Sequence, residues 1–197
     1  MLAHLFKWGM EKITFATTFR IVVCLLVLNL SSTSQAGTGF LQNPVKAPAW
    51  AIEEWVVGSE TSLEQLKGKV VVIDFFQLWC PGCNSFSIPL VAKWGKKYSK
   101  QQESGKIVFI SIHTVFEGHS YQNNERLKKF VKEKGMKHRV GVDARKKGAR
   151  VPITMDRYNT YGTPEIAIVD TKGFIRFQKF GGFDHKPVER LIDRLLE

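Results

Sequence analysis

The apolar positions of this 197-residue chain fall into a few strong patterns. Val70-Val71-Val72-Ile73-Asp74-Phe75-Phe76 is an almost unbroken β-branched and aromatic run, as expected of a central strand buried on both faces of a parallel sheet. Ile107 to Ile112 predicts a second buried strand, and Val140 to Val142 a short third one. Phe86, Leu90, Trp94 and Tyr98 recur every fourth residue, which is one face of a helix. Pro89 within that stretch predicts a kink. Leu127, Phe130 and Val131 mark an amphipathic helix from Glu125 to Lys134, with Asn124 as its N-cap and Gly135 as its stop. Glu165 to Asp170 and Phe174 to Phe180 flank Thr171-Lys172-Gly173 and predict a hairpin. Val188, Leu191, Ile192, Leu195 and Leu196 share one face of a closing helix capped by Asp184. Trp50 to Val57 reads as a peripheral strand, and Leu63 to Lys69 as a short helical turn.

Strand–helix alternation at the front implies right-handed β-α-β units and parallel strands, while the late hairpin adds antiparallel ones. The expected architecture is α/β: a mixed central sheet, helices on both faces, and a helical insert after the second core strand.

Ahead of this domain the pattern changes. Lys7, Lys12 and Arg20 precede the apolar run Ile21 to Leu30, and Ser34-Gln35-Ala36 has the small-x-small form of a signal-peptidase site. Residues 1–36 are therefore read as a signal peptide, with an uncleaved N-terminal anchor as the alternative. This ten-residue stretch, apolar but for Asn29, falls short of the roughly 20 a spanning helix needs. Residues 37–46, GTGFLQNPVK, read as a tether, leaving 47–197 as the folded domain. An exported protein, soluble in the periplasm or held at the inner membrane by its N-terminus, is the resulting expectation.

Net charge is +11, but the cations are dispersed along the chain. This describes a solvated basic surface, and no nucleic-acid partner is expected. Of three cysteines, Cys24 lies in the leader, so the remaining domain holds one close pair, Cys80 and Cys83. A single pair suits an oxidising compartment.

Trp79-Cys80-Pro81-Gly82-Cys83 follows the buried strand directly and opens the next helix. A thiol there meets unpaired backbone N–H groups and the positive end of the helix dipole, both of which favour thiolate. Cys80, at the tip, is the expected nucleophile. Cys83, one turn in, is placed to resolve a mixed disulfide, and the helical turn brings the two sulfurs within bonding reach. A structural disulfide closing so small a loop contributes little stability. A zinc site needs further ligands, yet no second cysteine pair exists and His113, His119, His138 and His185 are scattered. No cofactor or metal is expected.

Gly162-Thr163-Pro164 precedes the hairpin strand, and together with Cys80, Cys83 and Asp74 it resembles the thioredoxin superfamily. The resemblance runs from about Ala47 to Glu197. Leu66-Lys67-Gly68-Lys69-Val70-Val71 and the insert after Ile112 resemble its exported TlpA-like branch. It implies a thioredoxin-like fold, a cis bond at Thr163–Pro164, and substrate contacts along Trp79, Pro81, Gly82, Thr163 and Pro164. It also implies that Asp74 is the buried acid that accepts the proton of Cys83. The chain departs from the pattern at Pro89, one residue later than usual, at Phe76 and Gln77 near the strand end, and at Glu165 after the proline.

The expected activity is thiol–disulfide exchange, in the direction of a periplasmic disulfide reductase acting on exported protein thiols and fed by a membrane or thioredoxin-like electron donor. A monomer is expected. Pro81 is shared with DsbA-like oxidants, which keeps oxidase as an alternative. A copper-binding module using the same cysteines is a second, with His113 as the candidate extra ligand. Peroxidase chemistry requires Thr or Ser three residues before the reactive Cys, where this chain has Gln77. His113, Glu117 and His119 follow the second core strand on the cysteine edge, as cleft residues or ordinary loop polars.

Overall fold

A computed structural model describes residues 38–197; the predicted leader lies outside the described residues. Among the described residues seven strands form one mixed sheet, in the order β1 (Phe40–Lys46), β7 (Phe174–Phe180), β6 (Glu165–Val169), β3 (Val70–Phe76), β4 (Ile107–His113), β5 (Arg139–Asp143), β2 (Ile52–Val57). Every residue of β3 (Val70–Phe76) is buried. It pairs in parallel with β4 (Ile107–His113), which pairs in parallel with β5 (Arg139–Asp143). On its other side β3 meets β6 (Glu165–Val169) in antiparallel register, and β6 continues through the hairpin into β7 (Phe174–Phe180).

The outer strands complete the sheet. β2 (Ile52–Val57) pairs antiparallel with β5 and forms one edge. At the other edge, β1 (Phe40–Lys46) pairs antiparallel with β7. Those residues were expected to be tether. Their pairing is dictated by β7, about 130 residues away, so nothing local announces a strand with a proline in it.

Alternation along β3 assigns the two faces. Val70 and Val72 pack with Leu90, Val91 and Trp94 of α1 (Ile88–Lys97) and with Val188, Leu191 and Ile192 of α5 (His185–Leu195). Phe76 joins Cys83, Ile88 and, from the insert helix α3 (Asn124–Glu133), Leu127 and Val131. Val71, Ile73 and Phe75 face Trp50, Leu66 and Tyr158 on the other side. The segment Leu63 to Gly68 is a series of turns rather than a helix.

Three local details correct the expectations. Pro89 does not bend a regular α-helix. A π-helical turn, Cys83–Ser87, precedes it, with the Ile88 N–H bonded to the Cys83 carbonyl, and this widened turn takes up the position the proline cannot serve. The cap of α3 is Asn123, whose side chain accepts from the Arg126 N–H, rather than Asn124. A further short helix, α4 (Ile153–Arg157), follows the basic loop after β5. Its first turn is held by Asp143: the carboxylate accepts from the N–H groups of Thr154 at 2.8 Å and Met155 at 3.0 Å, and from the Thr114 hydroxyl at 3.0 Å. Asp143 thus does the work of an N-cap from ten residues upstream. Removing it would strand buried donors. We expect Asp143→Ala to lower stability by about 2–3 kcal/mol in denaturant unfolding, and Asp143→Asn to be destabilising as well, because one oxygen accepts from Thr154 N–H and the other from Met155 N–H, and the amide would face one of them with an NH2.

Candidate active site

β3 delivers the chain to the carboxyl edge of the parallel strands, and the turn Gln77 to Gly82 carries it into the helix. Cys80 and Cys83 are joined by a disulfide with Cα atoms 5.2 Å apart. Cys83 is fully buried, while Cys80 keeps 6% exposure at the tip. The Cys83 N–H points at Cys80 Sγ at 3.0 Å, so the helix start supplies a donor to the outer sulfur. Asn84 secures the turn, its amide donating to the carbonyls of Leu78 at 2.9 Å and Cys80 at 3.0 Å.

A recess of about 300 Å³ opens beside Cys80, lined among others by Trp79, Pro81, Phe116, Glu117, Tyr161 and Thr163. The Thr163–Pro164 bond is cis. Pro164 closes on the motif from the far side: a Cβ added to Gly82 would lie 2.9 Å from Pro164 Cδ, so only glycine fits without displacement. Trp79, 45% exposed, stacks on Tyr121 at 5.7 Å, and the Arg126 guanidinium covers the other tyrosine face at 4.2 Å. Gly118 lies under the indole; a Cβ there would come within 2.0 Å of the Trp79 ring. Trp79, Tyr121, Tyr161 and Phe180 form an exposed aromatic rim.

Beneath this surface, on the α1 face, Asp74 is fully buried. Its Oδ2 accepts from the Ser111 hydroxyl at 3.2 Å, while Oδ1 has no hydrogen-bond partner. Ser87, one helical turn beyond Cys83, faces the same carboxyl outside strict hydrogen-bond geometry. Loss of hydration pushes the acid up to about 6, only partly opposed by these two hydroxyls.

Of His113, Glu117 and His119, only Glu117 lines the recess. His113 is buried with Nε2 on the Gln122 side chain at 3.0 Å, and the same Gln122 oxygen accepts from the Leu78 N–H at 2.9 Å. Burial takes the His113 imidazole down to about 4, so it is a neutral strut for the loop before Trp79. His119 sits against the Arg145 guanidinium. Glu165, directly after Pro164, is buried and pushed up to about 7; Gln178 donates to it at 2.5 Å. Among the described residues no group of three or more His, Cys, Asp and Glu side chains could hold a metal ion, and no helix is long and apolar enough to cross a membrane. Sequence reasoning missed Ser111, Gln122, Tyr121 and Gly118. Only Ser111 left a signal, as the one polar residue in the predicted strand Ile107 to Ile112.

Known proteins share this fold. Residues 45–178 match the AhpC/TSA family. A solved thioredoxin-like superfamily protein is 35% identical and superposes with a TM-score of 0.71, over 77% of this chain and 96% of that one. A thiol-disulfide isomerase from Corynebacterium glutamicum is 38% identical with a TM-score of 0.69, over 80% of this chain and 99% of its own. Protein DipZ of Mycobacterium tuberculosis is 31% identical across 168 residues; they make up 81% of this chain but 19% of DipZ, so the chain spans about a fifth of that relative's length. The chain therefore belongs to the AhpC/TSA family, as a TlpA-like protein of the thioredoxin superfamily.

Proposed function

We propose that this protein is an exported disulfide reductase working through the Cys80–Cys83 couple. Cys80 thiolate attacks a partner disulfide, one partner sulfur leaves, and a mixed disulfide forms. Cys83 then gives its proton to Asp74 and attacks Cys80 Sγ. The second partner sulfur leaves as thiolate, and the Cys80–Cys83 disulfide remains. A membrane or thioredoxin-like donor returns two electrons and two protons. Export rests on the leader read from residues 1–36, and partner binding on the surface beside Cys80 made by Trp79, Pro81, Gly82, Thr163 and Pro164.

The direction rests on one observation, the charge around Cys80. An oxidant stabilises its dithiol by making the outer thiol strongly acidic, which takes neighbouring cations. Among the described residues lining the recess there is no Lys, Arg or His, and the one charged side chain is Glu117. Asp74 adds a second acid beneath. Two carboxylates oppose the helix dipole, hold thiolate formation back and favour the disulfide, as a donor of electrons requires.

Equilibration of the protein against dithiothreitol should give a potential near that of thioredoxin, about −270 mV. A value towards about −120 mV would make the protein an oxidant and reverse the proposed direction.

Asp74 yields a stability prediction with a defined sign. Its folded-state value, about 6 against 3.8 unfolded, is raised. Its contribution to stability is therefore fully present below pH 4 and lost as pH rises through 6. Asp74→Asn should stabilise the oxidised protein by roughly 2–3 kcal/mol above pH 7, and by far less at pH 4, measured as urea midpoints across that range.

A further inference from the structure

The proton that Asp74 takes from Cys83 has to leave again, and the carboxyl is sealed from water between β3, β4 and α1. One hydrogen-bonded path leads away from it. The parallel register sets Asp74 directly beside Ser111. Ser111 Oγ bridges two groups, Asp74 Oδ2 at 3.2 Å and His138 Nε2 at 2.8 Å. His138, in the loop before β5, is half-buried and lines a cavity of about 360 Å³ bounded by Ala92, Gly95, Gln102 and Met136. That cavity shares no lining residue with the recess beside Cys80.

We infer that Asp74, Ser111 and His138 form a proton wire that carries the resolving cysteine's proton to solvent behind the sheet, away from the cleft where the partner sits. This rests on the reading of Asp74 as acceptor for Cys83. A serine hydroxyl, with one hydrogen to give and lone pairs to receive, is suited to the middle position. With Asp74 protonated, its O–H donates to Ser111 Oγ, and Ser111 donates to the lone pair of His138 Nε2. Transfer moves the carboxyl hydrogen to Ser111 and the hydroxyl hydrogen to Nε2, and Nδ1–H is released to water. The end state reverses every bond: Nε2–H donates to Ser111, which donates to the Asp74 carboxylate. One proton has left, every partner in the chain remains hydrogen-bonded, and the imidazole ends neutral.

The surrounding charges fit a neutral ring that switches tautomer. Burial takes His138 down to about 4. Lys96, Lys134 and Lys137 line its cavity and oppose a lasting imidazolium. Around Asp74 the facing polar groups are Ser87 from the π-helical turn and Ser111 from β4, neither of them a competing base. Ser111 and His138 touch neither sulfur nor substrate, so they are positioning residues acting through Asp74.

The test follows repeated release of glutathione from glutathione disulfide by the full chain with dithiothreitol as electron source, between pH 5 and 9, so that Asp74 must shed the Cys83 proton in every cycle. Ser111→Ala and His138→Ala should each slow release about tenfold at pH 7, with the double variant no slower than either single one. Added imidazole should restore His138→Ala and leave Ser111→Ala slow. His138→Gln, which keeps a hydrogen-bonding amide but cannot switch tautomers, should be equally slow and guards against a folding defect. Additive losses, unchanged rates, or failure of imidazole to rescue would overturn the wire. Asp74→Asn separates the two ideas. If it is slow while the Ser111 and His138 variants match wild type, only the wire fails. If it matches wild type, the assignment of Asp74 fails and the wire with it.

Discussion

All seven residues of β3 are buried, and one of them is an aspartate. Apolar contacts on both faces hold the strand at the centre of the sheet and leave its carboxyl with two serine hydroxyls in place of water. The same enclosure that fixes the strand fixes the direction in which it delivers Cys80. It also raises the cost of ionising the acid beneath. A neutral residue would suit the fold better at this position at neutral pH, and the proposed mechanism gives the carboxyl its use as a buried proton acceptor.

The parallel pairing of β3 with β4 then matters residue by residue. A slip of one position would put Ile110 or Ile112 opposite Asp74 and turn the Ser111 hydroxyl to the other face of the sheet. The same register sets His113 against Phe76, where its bond to Gln122 holds the loop that presents Trp79. The reactive turn is thus positioned from below by one strand pair and from the side by Pro164, whose ring leaves no room for a side chain on Gly82.

How much of this the sequence discloses depends on the distance over which each feature is determined. The central strand, the reactive pair at a helix start, the hairpin and the closing helix with its Asp184 cap all rest on neighbouring residues, and each was legible. β1 was not, because Asn43 and Pro44 argue against a strand and its pairing comes from the chain's far end. Helix α4 was missed for the same reason, its cap being supplied by Asp143 across the basic loop. At the site, the cysteines and Asp74 could be read from local context. The stack of Trp79 on Tyr121 and Gly118, and the contact of Ser111 with His138, are products of tertiary approach over tens of residues, and of these residues only Ser111, polar within an apolar run, carries a local signal.

The borders of the sheet carry a consequence of their own. On one side β1 is interrupted between Phe40 and Val45, and on the other β2 breaks step with β5 twice within six residues. Neither border presents a long, flat row of free amides and carbonyls. Under the proposed exchange with disulfide-bearing proteins, an extended partner segment that met a long free edge could template edge-to-edge aggregation. Here both borders are blunted, so an extended guest gains little by adding itself to the sheet.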